Sequence, residues 1–386
     1  MENRLDLVRK VINNPFIQNI LSRPSIGIKD FFLKRSDNLN KNIIFFKNGR
    51  DAIVYGIKKL KIKEGCNILI PSYICQSIPS ALELNGYKIV YQDINDQLSF
   101  DINILKNNIT KHQIKAVLFV NYFGFIGNNS EVLDLCRDLD IVSIEDNCHS
   151  YLSGDKFYLE EIEADLSIFS LRKSLPVKDG GVLRVNSKHI KKNNNHEINL
   201  NHKSLINDLP FLVSKIAEYI ISKLGIFNLY SDLITKTKDR IYKHLGNVNK
   251  QESNKIKSTR PSFLLNRFLT NQSYEEEVKK KVIKNFDYLM QKINPFFLKP
   301  LLINRNEGTV PQYAIFFDSN ATIFRNLRRN RIGASRWPAN ELPDFVRNNK
   351  ETFPNSNFFN ENLVMIPIHK DITKKHLDSI IDIIKH

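Results

Sequence analysis

Two ionisable residues stand at the ends of apolar runs, where a reactive group bound to a sheet would have to be. Glu145-Asp146 closes the run 141–144, and Lys173 follows the run 166–171. An amine can attack a carbonyl carbon, and a carboxylate can hold a proton or balance a positive charge, so this pair suits covalent and acid/base chemistry. In parallel α/β sheets ligands sit beyond the carboxyl ends of the strands, which is where both residues fall. An isolated ionised carboxylate is costly in a dry site, so a buried Asp146 calls for a cationic partner. Taken singly, Asp146 serves equally well as a helix cap, and Lys173 as a surface lysine whose stem lies along apolar neighbours.

Two further groups carry chemistry. Asn48-Gly49-Arg50-Asp51 follows a strand-like run at 42–46 and opens a helix-like one. Backbone N–H groups are free at a helix start, so a Gly-containing turn there is a phosphate cradle to which Arg50 adds charge, although a capped helix without ligand reads the same way. Ser335-Arg336-Trp337-Pro338 holds the only Trp of the chain. Arg beside Trp suits an anionic or sugar-ring substrate; a Trp packed under a loop is the plainer alternative.

These residues need a frame, and the patterning supplies one. Strand-like runs at 67–70, 88–92, 115–121, 141–144, 166–171 and 182–185 alternate with amphipathic helical patterns at 51–60, 76–84 and 130–139, as in a mostly parallel sheet wrapped by helices. Residues 193–250 change character, with an amphipathic helix over Phe211 to Ile221 flanked by Lys215 and Lys223. That helix reads as an insertion, or as a surface docking on a partner subunit or an anionic membrane face. After a polar linker, a long helix at 274–293 leads to a strand at 311–317, a helix at 322–330, a strand at 363–368 and a helix at 374–384, the βαβ-like content of a small C-terminal domain.

Composition narrows the classes. With 386 residues, 42% hydrophobic and 25% charged, the chain belongs among globular proteins of two or three domains. Lys plus Arg number 57 against 41 Asp plus Glu, a formal charge of +16 that attracts anions. The excess is spread out and no nucleic-acid-binding motif is readable, so no nucleic-acid partner is expected. The four cysteines form no C-x-x-C pair; they read as buried thiols of a reducing compartment, and no metal site is expected. The early charge of Met1-Glu2-Asn3-Arg4 gives no signal peptide, and a cytoplasmic location is expected.

The Gly49-Arg50 turn, Ile70-Pro71-Ser72-Tyr73, Asn121-Tyr122-Phe123-Gly124, Glu145-Asp146-Asn147-Cys148-His149-Ser150, Phe169-Ser170 to Lys173, Asp179-Gly180-Gly181 and Ile366-Pro367-Ile368-His369 occur in this order. Together they resemble the DegT-type nucleotide-sugar aminotransferases, pyridoxal 5'-phosphate (PLP) enzymes of the fold type I aspartate aminotransferase superfamily. The resemblance implies an α/β protein, with a large mostly parallel sheet wrapped by helices and a small C-terminal α/β domain. Residues 1–40 would form an N-terminal helical segment, 41–250 the large PLP-binding domain with a helical insertion at about 190–250, and 251–386 a linker helix and the small domain. It further implies that Lys173 is the Schiff-base lysine, that Asp146 partners the pyridine nitrogen, that Tyr73 stacks on the ring and that His149 lies near the ring oxygen. Gly49, Arg50 and Ser170 match phosphate-binding positions, and Arg336 and Trp337 fall where substrate binds.

The implied reaction is transamination of a nucleotide-linked keto-sugar with glutamate or glutamine as donor. Its product would feed a bacterial surface polysaccharide, lipopolysaccharide or glycosylated metabolite. A homodimer with sites at the interface is implied as well, with weak membrane-surface association left open. A PLP- or PMP-dependent sugar dehydratase and a non-catalytic homologue binding an anionic partner are the alternatives; the dehydratases typically carry His in place of the lysine. The chain departs from the family pattern in three places. Asn48-Gly49-Arg50 stands where Ser-Gly-Thr is usual, the stretch from Ser170 to Lys173 is short, and no Gly-x-Asn-x-Arg loop is present. Ser258-Thr259-Arg260-Pro261-Ser262 occupies roughly the place of that loop, making Arg260 the candidate for a contact across the subunit interface.

Overall fold

The computed structural model describes residues 20–26, 43–127, 129–154, 162–189, 206, 208–223, 258–269, 271–295, 298–301, 307–338 and 342–385. Its main feature is a seven-stranded sheet. The strands are β1 (Ile43–Phe46), β2 (Asn67–Pro71), β3 (Lys88–Gln92), β4 (Ile114–Val120), β5 (Val142–Asp146), β6 (Leu166–Ser170) and β7 (Gly181–Val185). They lie in the order β1-β7-β6-β5-β4-β2-β3. The run from β3 to β6 is parallel, while β7 pairs antiparallel with both β6 and β1. β6 and β7 are buried along their whole length, which is why they read as continuous apolar runs rather than alternating ones.

Helix α1 (Gly49–Lys59) leads from β1 to β2, and α2 (Ser77–Glu83), α3 (Ile102–Lys111) and α4 (Ser130–Asp138) join the parallel strands β2 to β5. The amphipathic patterning foretold all but α3, whose N-cap Asp101 accepts from the N–H groups of Asn103 and Ile104. Helix α1 lies against β6 and β7, and Gly56 lets it approach: a Cβ there would sit 2.8 Å from Leu166.

The C-terminal part is built on a smaller sheet of β8 (Tyr313–Phe317) and β9 (Leu363–Pro367). These strands run antiparallel, which corrects the βαβ-like expectation: Ser335 also pairs antiparallel with Met365, so the chain returns beside β9 from the opposite direction. Helix α5 (Leu209–Lys223) is present as expected, followed by α6 (Phe263–Leu269) and the long α7 (Gln272–Lys292). Helix α7 buries Val278, Val282, Phe286 and Leu289, a helical stripe, against the core beneath β8 and β9. α8 (Thr322–Arg329), α9 (Asp344–Asn348), α10 (Pro354–Asn362) and α11 (Lys374–Lys385) complete the chain. The polar linker, residues 247–257, lies outside the described residues.

The two parts are tied together by Asp93, which accepts from Ser72 Oγ, Ser356 N, Ser356 Oγ and Asn355 N at 2.6–3.1 Å. Most of the expected N-terminal helical segment lies outside the described residues. Residues 20–26 are described and are not helical: Ile20 bridges Ile332 in parallel and the segment runs along the small sheet's loops. Cysteines 136 and 148 are buried, but Cys66 and Cys75 are only half-buried, since both lie in connections rather than in the core.

Candidate active site

A cavity of about 1440 Å³, its open mouth included, lies beyond the carboxyl ends of β4, β5 and β6. One wall is made by strand ends. Asp146 is the last residue of β5 and pairs with Val120 of β4 and Ile168 of β6, which fixes its backbone from both sides. Its Oδ1 accepts the Cys148 N–H at 2.9 Å, and the Cys148 thiol bonds to it as well. Ser170 ends β6, and Leu171–Lys173 form a single 3-10 turn that swings Lys173 into the cavity. The short Ser170-to-Lys173 stretch is thus one tight turn. That turn is held by Leu171 N to Gly180 O at 2.8 Å and Gln312 Nε2 to Lys173 O at 3.2 Å.

The first turn of α1 faces the same space. Asn48 caps it by accepting the Asp51 N–H at 3.0 Å, the role for which Asn, Asp and Ser side chains are suited. Gly49 cannot carry a side chain freely, because a Cβ would lie 3.0 Å from Cys148 Sγ. At Gly181 a Cβ would lie 2.1 Å from Asn48 O, and Gly180 adopts φ 128°, so each of the two glycines after Asp179 has its own physical reason. The free N–H groups of this helix start, with Arg50, Ser170 and Arg172 on the same wall, form an anion cradle.

His149 lies between aromatic rings. Phe123 stacks on it at 5.4 Å and Trp337 meets it edge-on at 5.0 Å. Burial, helped by the charges of Lys173 and Arg23, holds the imidazole well below its ordinary pKa of 6.5, so it is neutral. Nδ1 accepts the Phe123 N–H at 3.4 Å, leaving Nε2 to carry the proton and donate. Phe123 adopts φ 58°, a left-handed backbone uncommon for a bulky residue and of the kind that persists where a ligand site demands it.

The other wall comes from the C-terminal part, where Arg336 and Trp337 line the cavity as expected. Trp337 also meets Tyr73 and Tyr122 edge-on, at 4.9 and 5.7 Å. Tyr73 does not reach the cavity, which corrects the expectation that it stacks on a bound ring. Its side chain is fully buried and its hydroxyl donates to Trp337 O at 2.6 Å. The turn after β2 points Tyr73 inward and leaves Ile74 and Cys75 on the wall, so Tyr73 supports Trp337 from behind. Arg260 is exposed and lies away from this cavity.

The lining residues that escaped the sequence reading include Arg23, Arg172, Gln312 and Tyr313. Arg172 had a signal, being next to Lys173. Arg23 had none, since only the docking of residues 20–26 on the small sheet brings it here.

In sum the cavity offers an amine, a carboxylate with no cationic partner among the described residues, a neutral imidazole donor and a phosphate-sized anion cradle. That set fits a cofactor bearing a phosphate, a basic ring nitrogen and a carbonyl. Residues 38–198, which supply the strand-end wall, match the model of the DegT/DnrJ/EryC1/StrS aminotransferase family. The match covers this segment alone, under half of the chain. A GDP-4-keto-6-deoxy-D-mannose 3-dehydratase from Escherichia coli O55:H7 is 32% identical over 100 residues, 26% of each chain. A dTDP-4-dehydro-2,3,6-trideoxy-D-glucose 4-aminotransferase from Saccharopolyspora spinosa is 25% identical over 145 residues, 37% of each chain. These alignments thus span well under half of the relatives' lengths. A candidate sugar aminotransferase from Streptococcus pneumoniae, solved in its PMP form, is similar over 100% of this chain and 94% of its own, with TM-score 0.65 and 15% identity. That likeness establishes the fold, the fold type I architecture expected from the motifs. The matched segment and the C-terminal part that closes its cavity therefore share one architecture with that structure.

Proposed function

We propose that the protein is a PLP-dependent sugar aminotransferase. The observation that carries this reading is the placement of Lys173 and Asp146 at neighbouring strand ends in one cavity, with the first turn of α1 beside them. Bound there, PLP would supply a carbonyl for amine exchange and a ring that takes up electrons. Gly49, Arg50 and Ser170 would hold its phosphate, and Asp146 would keep the ring nitrogen protonated. The His149 Nε2–H would donate to the ring oxygen. Lys173 Nζ would move the proton off and onto the substrate carbon that bears the amine. The wall of Phe123, His149 and Trp337 keeps water from that carbon.

The substrate on this reading is a keto-sugar, nucleotide-linked, with glutamate or glutamine as donor. The amino sugar would enter a surface polysaccharide, lipopolysaccharide or glycosylated metabolite made in the cytoplasm of a bacterium. A homodimer is supported by Leu209, Val213 and Ile216, which expose an apolar stripe at helical spacing along α5. Arg260 would serve the neighbouring subunit's cofactor, in keeping with its exposure far from its own cavity. Among the described residues no helix is long and apolar enough to cross a membrane.

Dehydration is the second reading, favoured by the stretch shared with the Escherichia coli dehydratase; Lys173, where the dehydratases by resemblance carry His, weighs against it. Incubating the PLP-loaded protein with glutamate and a panel of nucleotide-linked keto-sugars, followed by mass spectrometry, decides between them. An amine-bearing sugar supports transamination, whereas a deoxygenated sugar without nitrogen supports dehydration.

A further inference from the structure

The cavity carries more positive charge than one phosphate needs. Arg23, Arg50, Arg172, Lys173 and Arg336 line it, against the single carboxylate Asp146. Among the described residues none of these arginines has a carboxylate partner. Arg23 bonds to the hydroxyl of Tyr313. Arg336 lies over the Phe324 ring at 5.2 Å, and its Nε and one terminal nitrogen are buried without any hydrogen-bond partner. Burial, together with the charges of Arg23 and Arg50, pushes the Arg172 pKa down, the mark of like charges crowded without an anion between them.

Position divides the arginines into two sets. Arg50 and Arg172 stand on the strand-end wall beside Gly49 and Ser170. A phosphate monoester brings about −1.5 to −2 charges, which that set and the α1 N–H groups meet. Arg23 and Arg336 stand on the opposite wall, each on backbone that is tied down. Ser335 exchanges both hydrogen bonds with Met365 of β9, at 3.0 and 2.8 Å, which fixes Arg336. Arg23 is pinned from both sides. Before it, Ile20 N bonds to Arg331 O at 3.1 Å and Gly333 N to Ile20 O at 2.7 Å. His369 Nε2 meets Leu21 O, also before it, at 2.9 Å; after it, Ser25 N and Oγ both donate to Asp371 Oδ2, at 2.6 and 3.1 Å. Gly333 admits the strap, since a Cβ there would lie 2.3 Å from Ser22 N. A guanidinium held in place with unused donors is suited to a planar anion such as a carboxylate or a phosphate.

We infer that Arg23 and Arg336 form a second anion subsite, facing the phosphate cradle across the cavity, that takes a carboxylate or phosphate group of the substrate. This rests on the PLP reading of the site only in assigning the first cradle to the cofactor. The anion has two sources, a carboxylate of the amino donor or the diphosphate of the sugar carrier, and one titration distinguishes them. Calorimetry on PLP-loaded protein uses two probes: glutarate, a five-carbon dicarboxylate, and inorganic pyrophosphate. The protein should bind one of them, and Arg23→Gln and Arg336→Gln should each weaken that probe about tenfold or more, with Arg23→Lys recovering part of the loss. Selective loss of glutarate assigns the subsite to the donor, and selective loss of pyrophosphate to the sugar carrier. Affinities within about twofold of the parent for both probes, or no binding of either by the parent, overturn the subsite. Repeating the titration on cofactor-free protein separates the two readings. A protein that never takes up PLP but still loses the probe in the variants keeps the subsite and drops the cofactor assignment; one that loads PLP while its variants bind like the parent drops the subsite alone.

Discussion

Asp146 and Asp165 lie at opposite ends of the same pair of strands and are equally buried, at 4% and 5% exposure, yet their surroundings differ completely. Asp165 is saturated: Ser143 donates from N and Oγ at 2.8 Å each, Lys188 Nζ lies at 2.7 Å and His189 Nε2 at 2.6 Å. Burial alone would raise its pKa, but the hydrogen bonds from His189, Lys188 and Ser143 outweigh it and hold the carboxyl at about 2. Among the described residues Asp146 has the N–H and thiol of one residue, Cys148, and no cation. Equal burial with unequal satisfaction separates a carboxylate that holds the fold together from one kept for a ligand.

The widest break between them should come from truncation. Asp146→Ala should lower turnover by a hundredfold or more, in line with the roughly 3–5 kcal/mol lost when one partner of a closed charge pair is removed, while the melting temperature stays near that of the parent. Asp165→Ala should do the reverse, costing about 1–3 kcal/mol of stability for the partners it strands and leaving turnover of the folded fraction intact. Steady-state rates and thermal melts on both variants test the contrast; a melting loss at Asp146 with no kinetic effect would turn it upside down.

Acid sharpens the same contrast. Asp165 has a folded pKa below its ordinary 3.8, so its contribution is present above that value and lost as the pH falls towards 2. The stability gap between the parent and Asp165→Asn should therefore be full at pH 6 and close below about pH 4. A gap that persists at pH 2 would mean that the carboxylate's hydrogen bonds are not its contribution.

Next in size is the cradle. Gly49→Ala presses a methyl group against Cys148 Sγ, 3.0 Å away, and should weaken PLP retention by about tenfold with little change in melting, because the neighbouring sulfur can yield by a few tenths of an ångström. Absorbance titration of PLP reads it directly.

The smallest effect belongs to His149. Burial depresses its folded pKa below 6.5, so under acid the unfolded chain binds a proton that the folded chain refuses, and stability falls as the pH drops below about 6.5. His369, also lowered chiefly by burial, adds to the slope. His149→Gln should flatten part of the decline between pH 6.5 and 5 in denaturant titrations, and an unchanged slope would leave His369 as its source.

The strand-end wall was legible in the sequence because its parts are local. A strand, a turn and a helix start each leave a mark within a few residues, so Gly49, Asp146, Ser170 and Lys173 could be placed from patterning and motif order. The opposite wall was not. Arg23 enters through backbone pairing with residues 331–333 and 369–371, contacts more than three hundred residues away in the chain, and nothing near Arg23 announces them. Tyr73 failed for a related reason: its motif fixed its place along the chain, but the direction of its ring was set by Trp337, which arrives from the C-terminal part. Helix α3 escaped because its buried face comes down to Leu105 and Ile109, too few apolar positions to stand out from a polar stretch.

The central claim is that Lys173 is the amine that bonds PLP. Reducing the PLP-loaded protein with borohydride, digesting it and mapping the peptides tests this without any knowledge of the sugar. The account predicts a pyridoxyl group on Lys173 and its loss from the Lys173→Ala variant. A label on another lysine, or no label on protein that has bound PLP, would contradict it.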